Sequence, residues 1–168
     1  EDYCVLLFHP DGTSFKKNEI FIKNIIDALK KFKIKVICVF PCDDIAYSSI
    51  TKKLNKINKL NYNFQVYPNI QYSDFINLVK FSKFFIGNSS SGIIESPYLK
   101  TPFLNLGNRQ NNRLCSENVL HSKIDKKEII KNIKKVMSKQ FLNKIKKLKL
   151  FYGNGNSYQK AYKIILKH

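Results

Sequence analysis

Short runs of β-branched and aromatic residues alternate along this chain with longer segments whose apolar residues recur every three or four positions. A short apolar run closed by proline, glycine or asparagine is typical of a buried strand, and the longer period is typical of a helix packed on a sheet. Such alternation favours parallel strands, because each helix carries the chain back across the sheet. The sequence therefore predicts an α/β fold with a Rossmann-like, doubly wound parallel sheet.

The individual elements follow from the same periods. The predicted strands are 5–8, 35–40, 64–67, 84–86 and 103–106. The predicted helices are 16–32, 45–57, 74–81 with Ser73 as its N-cap, 91–98, 126–137 and a last one that begins at Ser157. We expect the last two helices to wrap the edge of the sheet. Since no internal repeat or linker interrupts the pattern, residues 1–168 are predicted to form a single domain.

A formal net charge of +18 raises the question of a nucleic-acid partner, because basic surfaces attract phosphate backbones. All but two of the 30 basic residues are lysines, scattered among asparagine and isoleucine at helical spacings. We interpret them as solvated helix faces whose aliphatic stems cover apolar neighbours. The sequence thus predicts no nucleic-acid partner, and a basic nucleic-acid-binding module is kept as the rival from another functional class.

The spacing of the cysteines and the hydropathy of the chain indicate in which cellular compartment the protein is expected. Cys4, Cys38, Cys42 and Cys115 form neither a C-x-x-C pair nor a dense disulfide framework, so we expect no metal site and a reducing environment. No apolar run approaches the roughly 20 residues that cross a bilayer, and the first residues lack a signal-peptide pattern. These features predict a cytoplasmic protein without a membrane partner.

A phosphate-binding loop is predicted after the fourth strand. Ligands of open parallel sheets collect beyond the carboxyl ends of the strands. There the sequence reads GNSSSG over residues 87–92, directly before a helix. Small residues let a ligand approach the backbone, N–H groups of a first helical turn are unpaired, and serine hydroxyls donate. Asn88, Ser89, Ser90 and Ser91 are the candidates, and an ordinary serine N-cap is the structural alternative.

Three further residues extend this candidate site. Glu95 lies one turn into the helix, where a carboxylate would repel a phosphate but would accept hydrogen bonds from a ribose diol; its alternative role is to complement the helix dipole. The loop after the fifth strand holds Arg109 and Arg113, the only arginines of the chain. In a chain that otherwise uses lysine, this placement indicates a need for the planar guanidinium fork that grips phosphate, unless the clustering is accidental.

His9 follows the first strand and would lie at the same edge of the sheet, near its centre. A histidine there can serve a diphosphate or transfer a proton, whereas a lone histidine is more often structural. His9 is the candidate catalytic residue, and its position alone leaves the structural alternative open.

Four stretches together carry a resemblance to a known family. They are FHPD at 8–11, GNSSSGIIESP at 87–97, TPFLNLGNRQNNR at 101–113 and FYGNGNS at 151–157. In this order and spacing the chain resembles the hydrolysing UDP-N-acetylglucosamine 2-epimerases, over nearly its whole length. The resemblance implies the C-terminal half of a two-domain architecture like that of B-type glycosyltransferases, with the N-terminal domain absent from this chain.

The resemblance also implies a reaction and roles. The reaction is elimination of UDP from a UDP-activated N-acetyl amino sugar, followed by hydration of the glycal to N-acetylmannosamine, as at the start of sialic acid pathways, without a dissociable cofactor. Ser89 and Ser90 would hold the diphosphate, Arg109 would neutralise departing UDP, Glu95 would bind ribose, and His9 would lie by the sugar phosphate.

Several further expectations accompany this assignment. The acidic groups that move protons would lie on the N-terminal domain, so this chain alone is expected to be inactive. The full enzyme is expected to be a homo-oligomer. Ser91 and the asparagine-rich stretch after Gln110 depart from the family pattern, so UDP-diacetylbacillosamine is as compatible a substrate. The nearest rival function is that of a nucleotide-sugar glycosyltransferase, which shares the architecture.

Overall fold

A computed structural model describes residues 1–167 of the chain. Its strands are β1 (Tyr3–Leu7), β2 (Lys35–Val39), β3 (Phe64–Tyr67), β4 (Phe85–Gly87), β5 (Phe103–Leu106) and β6 (Val119–Ser122). All pair in parallel in one six-stranded sheet with the order β3-β2-β1-β4-β5-β6. This is the doubly wound order, and the connections change direction between β1 and β4. The predicted fold class is confirmed, and β1 lies at the centre of the sheet as expected.

Helices cover both faces of the sheet. They are α1 (Phe15–Leu29), α2 (Tyr47–Leu60), α3 (Tyr72–Phe81), α4 (Ser91–Ile94), α5 (Lys126–Val136), α6 (Lys139–Lys144) and α7 (Ser157–Ile165). Successive strand residues point to opposite faces, which explains why the strands are continuous apolar runs. On one face Leu6, Ile86 and Leu104 pack with α1, α2 and α5. On the other, Leu7, Phe85 and Phe103 pack with α3 and α4.

The structure contains one strand and one helix that the sequence analysis did not predict. The sequence pattern gave no reason to expect β6, because its VLHS segment contains two polar residues and lies at the edge of the sheet. The short helix α6 was also missed, although Ser138 caps it by accepting a hydrogen bond from the N–H of Phe141 at 3.2 Å. Edge strands and helices of fewer than two turns bury little apolar surface, so they leave a weak periodic signal.

Three predicted helices need correction. The helix predicted at 91–98 ends at Ile94 and continues only as turns, since Pro97 has no N–H to donate. Ser73 is not an N-cap, because α3 begins at Tyr72 and Gln71 holds the cap position. The helix at 126–137 does not wrap the edge of the sheet. Instead α5 packs on a face of the sheet, with Ile129 and Ile133 buried.

Within residues 1–167, none of the helices combines the length and the apolar character that a bilayer crossing requires.

Gly87 sets the distance between the two central strands β1 and β4. It pairs with Leu7, and its φ of +144° is one that side chains rarely adopt. A Cβ at this position would lie 1.8 Å from the carbonyl oxygen of Leu7. No residue with a Cβ fits there, so the close approach of β1 and β4 depends on glycine.

We predict that Gly87→Ala destabilises the protein by more than about 3 kcal/mol, because it combines a backbone clash with an unfavourable φ. Gly12→Ala is the matched control, since Gly12 also has a positive φ of +80° but has open space around its missing Cβ. The control should cost about 1–2 kcal/mol. Equilibrium urea unfolding measures both, and equal losses for the two variants would contradict the prediction.

Candidate functional site

An open cleft of about 590 Å³ lies beyond the carboxyl ends of the central strands. Loops that follow five different strands supply its walls, as is usual at the switch point of a doubly wound sheet. The lining includes His9 after β1, Cys42 after β2, Ile70 and Tyr72 after β3, Ser89, Ser90 and Ser91 after β4, and Arg109, Gln110 and Arg113 after β5.

The loop after β4 presents free backbone donors to this cleft. The N–H groups of Ser89 and Ser90 make no hydrogen bond with the described residues. The hydroxyl of Ser89 accepts from the N–H of Ser91 at 3.3 Å, which leaves its own proton available to donate. Because α4 is a single turn, these individual donors, and not a macrodipole, are what a bound anion would meet.

Asn88 fastens the loops after β1 and β4 together. Its side-chain oxygen accepts from the N–H of His9 at 2.7 Å, and its side-chain nitrogen donates to the carbonyl of His9 at 2.9 Å. Asn88 is fully buried. Both polar groups of its side chain therefore bond to the backbone of His9 and hold the start of the loop after β1 in place.

His9 is held as a neutral hydrogen-bond donor. The N–H of Cys42 donates to Nδ1 of His9 at 3.3 Å, so Nδ1 is unprotonated and Nε2 carries the proton. Burial lowers the pKa of His9 from its usual value, the charge of Arg109 lowers it further, and Asp44 partly opposes these effects. Such a histidine can donate a hydrogen bond from Nε2 to an oxygen in the cleft.

Arg109 is fixed by two contacts from different loops. Nη1 donates to the carbonyl of Pro10 at 3.2 Å, and Nη2 donates to Oδ2 of Asp44 at 3.2 Å. A guanidinium has five N–H donors, so most of them remain free for a ligand. The exposed Arg113 lines the same cleft.

Gln110 is a site residue that the sequence analysis did not select. It is 4% exposed, and its side-chain nitrogen donates to the carbonyl of Asn88 at 2.8 Å. This bond ties the loop after β5 to the loop after β4. The position of Gln110 directly after Arg109 was the only sequence signal for it, and glutamine is common on ordinary surfaces.

Glu95 lies outside this cleft, in a neighbouring one of about 660 Å³. Tyr72 borders both clefts, so they are adjacent. Oε2 of Glu95 is buried without a hydrogen-bond partner, which is costly for a carboxylate oxygen. On the far wall, the hydroxyl of Tyr98 donates to the carbonyl of Gly153 and so anchors the loop at 153–155.

The structure thus brings together most of the residues that the sequence singled out. Ser89, Ser90, Ser91, Arg109 and Arg113 line one cleft with His9, Asn88 lies beneath it, and Glu95 lies in the adjoining one. Among residues 1–167, no group of three or more histidine, cysteine, aspartate or glutamate residues could hold a metal ion.

Fold and site together define a doubly wound α/β domain with an anion-receptive cleft at its switch point. The family model described as UDP-N-acetylglucosamine 2-epimerase matches residues 1–166. The chain belongs to this family.

Individual relatives agree with this assignment. A UDP-N-acetylglucosamine 2-epimerase of Neisseria meningitidis is 30% identical over 82% of this chain and 36% of its own length. A GDP/UDP-N,N'-diacetylbacillosamine 2-epimerase (hydrolyzing) of Campylobacter jejuni is 30% identical over 84% of this chain and 37% of its own. The crystal structure of a Methanocaldococcus jannaschii UDP-GlcNAc 2-epimerase in complex with UDP-GlcNAc and UDP superposes with a TM-score of 0.78 at 18% identity, covering 100% of this chain and 46% of that one. The chain spans less than half the length of these relatives.

We predict that His9 titrates below the usual histidine value of about 6.5 and carries its proton on Nε2 at neutral pH. Because the folded-state pKa is lowered, the stability due to neutral His9 is fully present above the ordinary pKa and is lost as the pH falls from there through the lowered pKa. Nitrogen-15 NMR of the ring reports the tautomer. Urea unfolding from pH 7 to pH 5 should show wild-type stability declining relative to His9→Gln. An imidazolium at neutral pH would contradict the prediction.

Proposed function

We propose that this chain is the UDP-binding domain of a hydrolysing UDP-N-acetylglucosamine 2-epimerase. The observation that carries the proposal is the convergence of two free backbone N–H groups, a serine hydroxyl and two guanidinium groups on one cleft. Such a set suits an anion with several oxygens, since it supplies both directional donors and positive charge. The diphosphate of UDP is such an anion.

The environment of Glu95 favours a nucleotide over a simple phosphate as the ligand. A buried carboxylate oxygen without a partner calls for donors from a ligand. The cleft of Glu95 adjoins the anion cleft through Tyr72, so one molecule that contacts Ser89 and Arg109 can extend a ribose diol toward the carboxylate. The exposed ring of Tyr72 borders both clefts and offers an aromatic surface against which the nucleotide can pack.

His9 would act on the sugar side of the diphosphate. In the proposed first step, the proton on C2 is removed and the C1–O bond to UDP breaks, so that the electron pair of the C2–H bond forms the C1=C2 double bond. Negative charge then grows on the departing oxygens. The Nε2–H of His9 and the fork of Arg109 are aimed at that charge, which is the way preorganised donors lower a barrier. Water then adds to the glycal.

The groups that move protons would come from another part of the enzyme. Within the described residues no aspartate or glutamate lines the anion cleft, and the nearby Asp44 is engaged by Arg109. A neutral histidine that holds its proton on Nε2 cannot accept one there. Residues 1–168 are therefore proposed as one domain of the enzyme. An N-terminal domain would complete the active site by facing the same cleft from the opposite side.

Helix α7 supports a partner domain. It has no buried residue, and Tyr158, Tyr162 and Ile165 form an apolar stripe that is 62–70% exposed. Such a stripe is normally covered by another surface. We propose that the N-terminal domain covers it, in an enzyme that is a homo-oligomer. Free thiols at all four cysteines suit the reducing cytoplasm. The lysines remain assigned to solvated faces, without a nucleic-acid partner.

A second candidate substrate is UDP-diacetylbacillosamine. The Campylobacter jejuni relative, whose name carries that sugar, is as similar to this chain as the Neisseria meningitidis one, at 30% identity. Both substrates share UDP and a 2-acetamido group, so the residues of this chain would serve either. Product analysis with the complete enzyme separates them, and a glycoside formed on an acceptor would instead point to a glycosyltransferase.

The proposal predicts that the 168-residue chain binds UDP but turns over no UDP-sugar. Isothermal titration should give UDP a clear advantage over uridine, which lacks phosphates, and over 2′-deoxy-UDP, which lacks half of the diol expected at Glu95. A control titration with random duplex DNA should show weaker, salt-sensitive binding. Equal affinity for UDP and uridine would refute the phosphate site, and release of N-acetylmannosamine by the isolated chain would refute its incompleteness.

Arg109→Lys tests the fork geometry at constant charge. We predict that UDP affinity falls about tenfold, or ~1.4 kcal/mol, because lysine cannot bridge two oxygens, while uridine binding hardly changes. In the complete enzyme the loss in kcat should exceed the loss in substrate binding. Arg113→Lys is the control, with a smaller effect, since Arg113 lacks the two fixing contacts. Unchanged UDP affinity in folded Arg109→Lys would make Arg109 a mere surface charge.

A further inference from the structure

The turn between β2 and α2 touches both key groups of the anion cleft. From this turn, Cys42 donates its N–H to the ring of His9, and Asp44 accepts from the guanidinium of Arg109 at 3.2 Å. No residue of this turn was expected to belong to the site. The turn itself is tightly built, with the N–H of Asp44 donating to the carbonyl of Cys42 at 2.8 Å and the N–H of Tyr47 donating to the carbonyl of Asp44 at 2.9 Å.

Ala46 shows that this turn is held in one conformation. Its φ of +69° lies in the left-handed region, which is unfavourable for alanine, and its side chain is buried. Surrounding contacts must over-determine such a backbone for it to persist. The carboxylate of Asp44 is therefore presented to Arg109 from a fixed position and not from a freely moving loop.

Arg109 needs such a partner to keep its orientation. A long side chain that is 38% exposed has many rotamers, and ordering it costs conformational entropy when a ligand binds. The contacts with Asp44 and the carbonyl of Pro10 hold both terminal nitrogens before any ligand arrives. The ordering cost is then met in the free protein, and the remaining donors point in a set direction.

The negative charge of Asp44 has the opposite effect on anion binding from its orienting contact with Arg109. A carboxylate beside an anion site repels the anion, so removal of the charge alone would strengthen binding. This repulsion is reduced here, because Asp44 is paired with Arg109 and is 43% exposed to screening solvent. Orientation and repulsion thus predict changes of opposite sign when Asp44 is replaced.

We propose that Asp44 is a positioning residue that orients the guanidinium of Arg109 for a diphosphate, and that this orienting effect outweighs its repulsion of the anion. The inference rests on the proposed function, since the diphosphate of UDP is the ligand. Asp44 contacts Arg109 and does not line the anion cleft, so its orienting effect on binding passes through that arginine.

The test compares Asp44→Ala with Asp43→Ala in the 168-residue chain, by titration with UDP. The two variants remove the same charge at neighbouring exposed positions, but only Asp44 pairs with an arginine. Asp44→Ala should weaken UDP binding about fivefold to tenfold, whereas Asp43→Ala should leave it unchanged or slightly stronger. Asp44→Asn keeps an acceptor oxygen and the size of the side chain, so its UDP affinity should lie between those of the wild type and Asp44→Ala. This variant also provides the test if the alanine variant does not fold.

A double-mutant cycle checks that the effect passes through Arg109. In the Arg109→Lys background, Asp44→Ala should cause no further loss of UDP affinity, because the fork to be oriented is gone. UDP binding by Asp44→Ala that equals or exceeds the wild type, or a full loss that persists in the lysine background, would overturn the proposal. These outcomes require a wild-type chain that binds UDP; a wild-type chain that binds none overturns the proposed function itself.

Discussion

The hydrogen-bonded clamp between Asn88 and the backbone of His9 is the interaction on which the site depends. It joins the ends of β1 and β4, the two strands between which the connections change direction. At such a point the following loops diverge, and a crevice opens between them. Two short bonds to a fully buried amide hold that crevice at one width. Gln110 extends the clamp to the loop after β5, so hydrogen bonds tie three loops together.

This arrangement separates support from chemistry. Asn88 and Gln110 are buried and satisfy backbone groups, whereas Ser89, Ser90 and Arg109 keep donors free. Buried amides are well suited to support, because they carry both a donor and an acceptor without a charge to desolvate. The cleft can then concentrate positive charge on its surface without placing an uncompensated charge in the core.

The sequence predicted the parts of this architecture that repeat or that use unusual residues. The alternation of short apolar runs with segments of helical period predicted the fold, the glycine and serine loop at 87–92 pointed to the candidate anion site, and Arg109 stood out against a background of lysine. It could not predict the contacts of Asp44 and Gln110, since each contact spans more than 20 residues of chain and no local pattern records it. The edge strand β6 was missed for a related reason, because its polar residues break the apolar run.

Helix α7 has a consequence for how the protein acquires its final form. A helix of nine residues without a buried side chain is too short to be stable in water by itself. Gly153 and Gly155, both at positive φ, connect it to the rest of the domain. If the proposed N-terminal domain covers this helix, its folding would be coupled to the docking of that domain. Assembly of the proposed enzyme and ordering of α7 would then be one event, separate from the formation of the buried core, to which α7 contributes no residue.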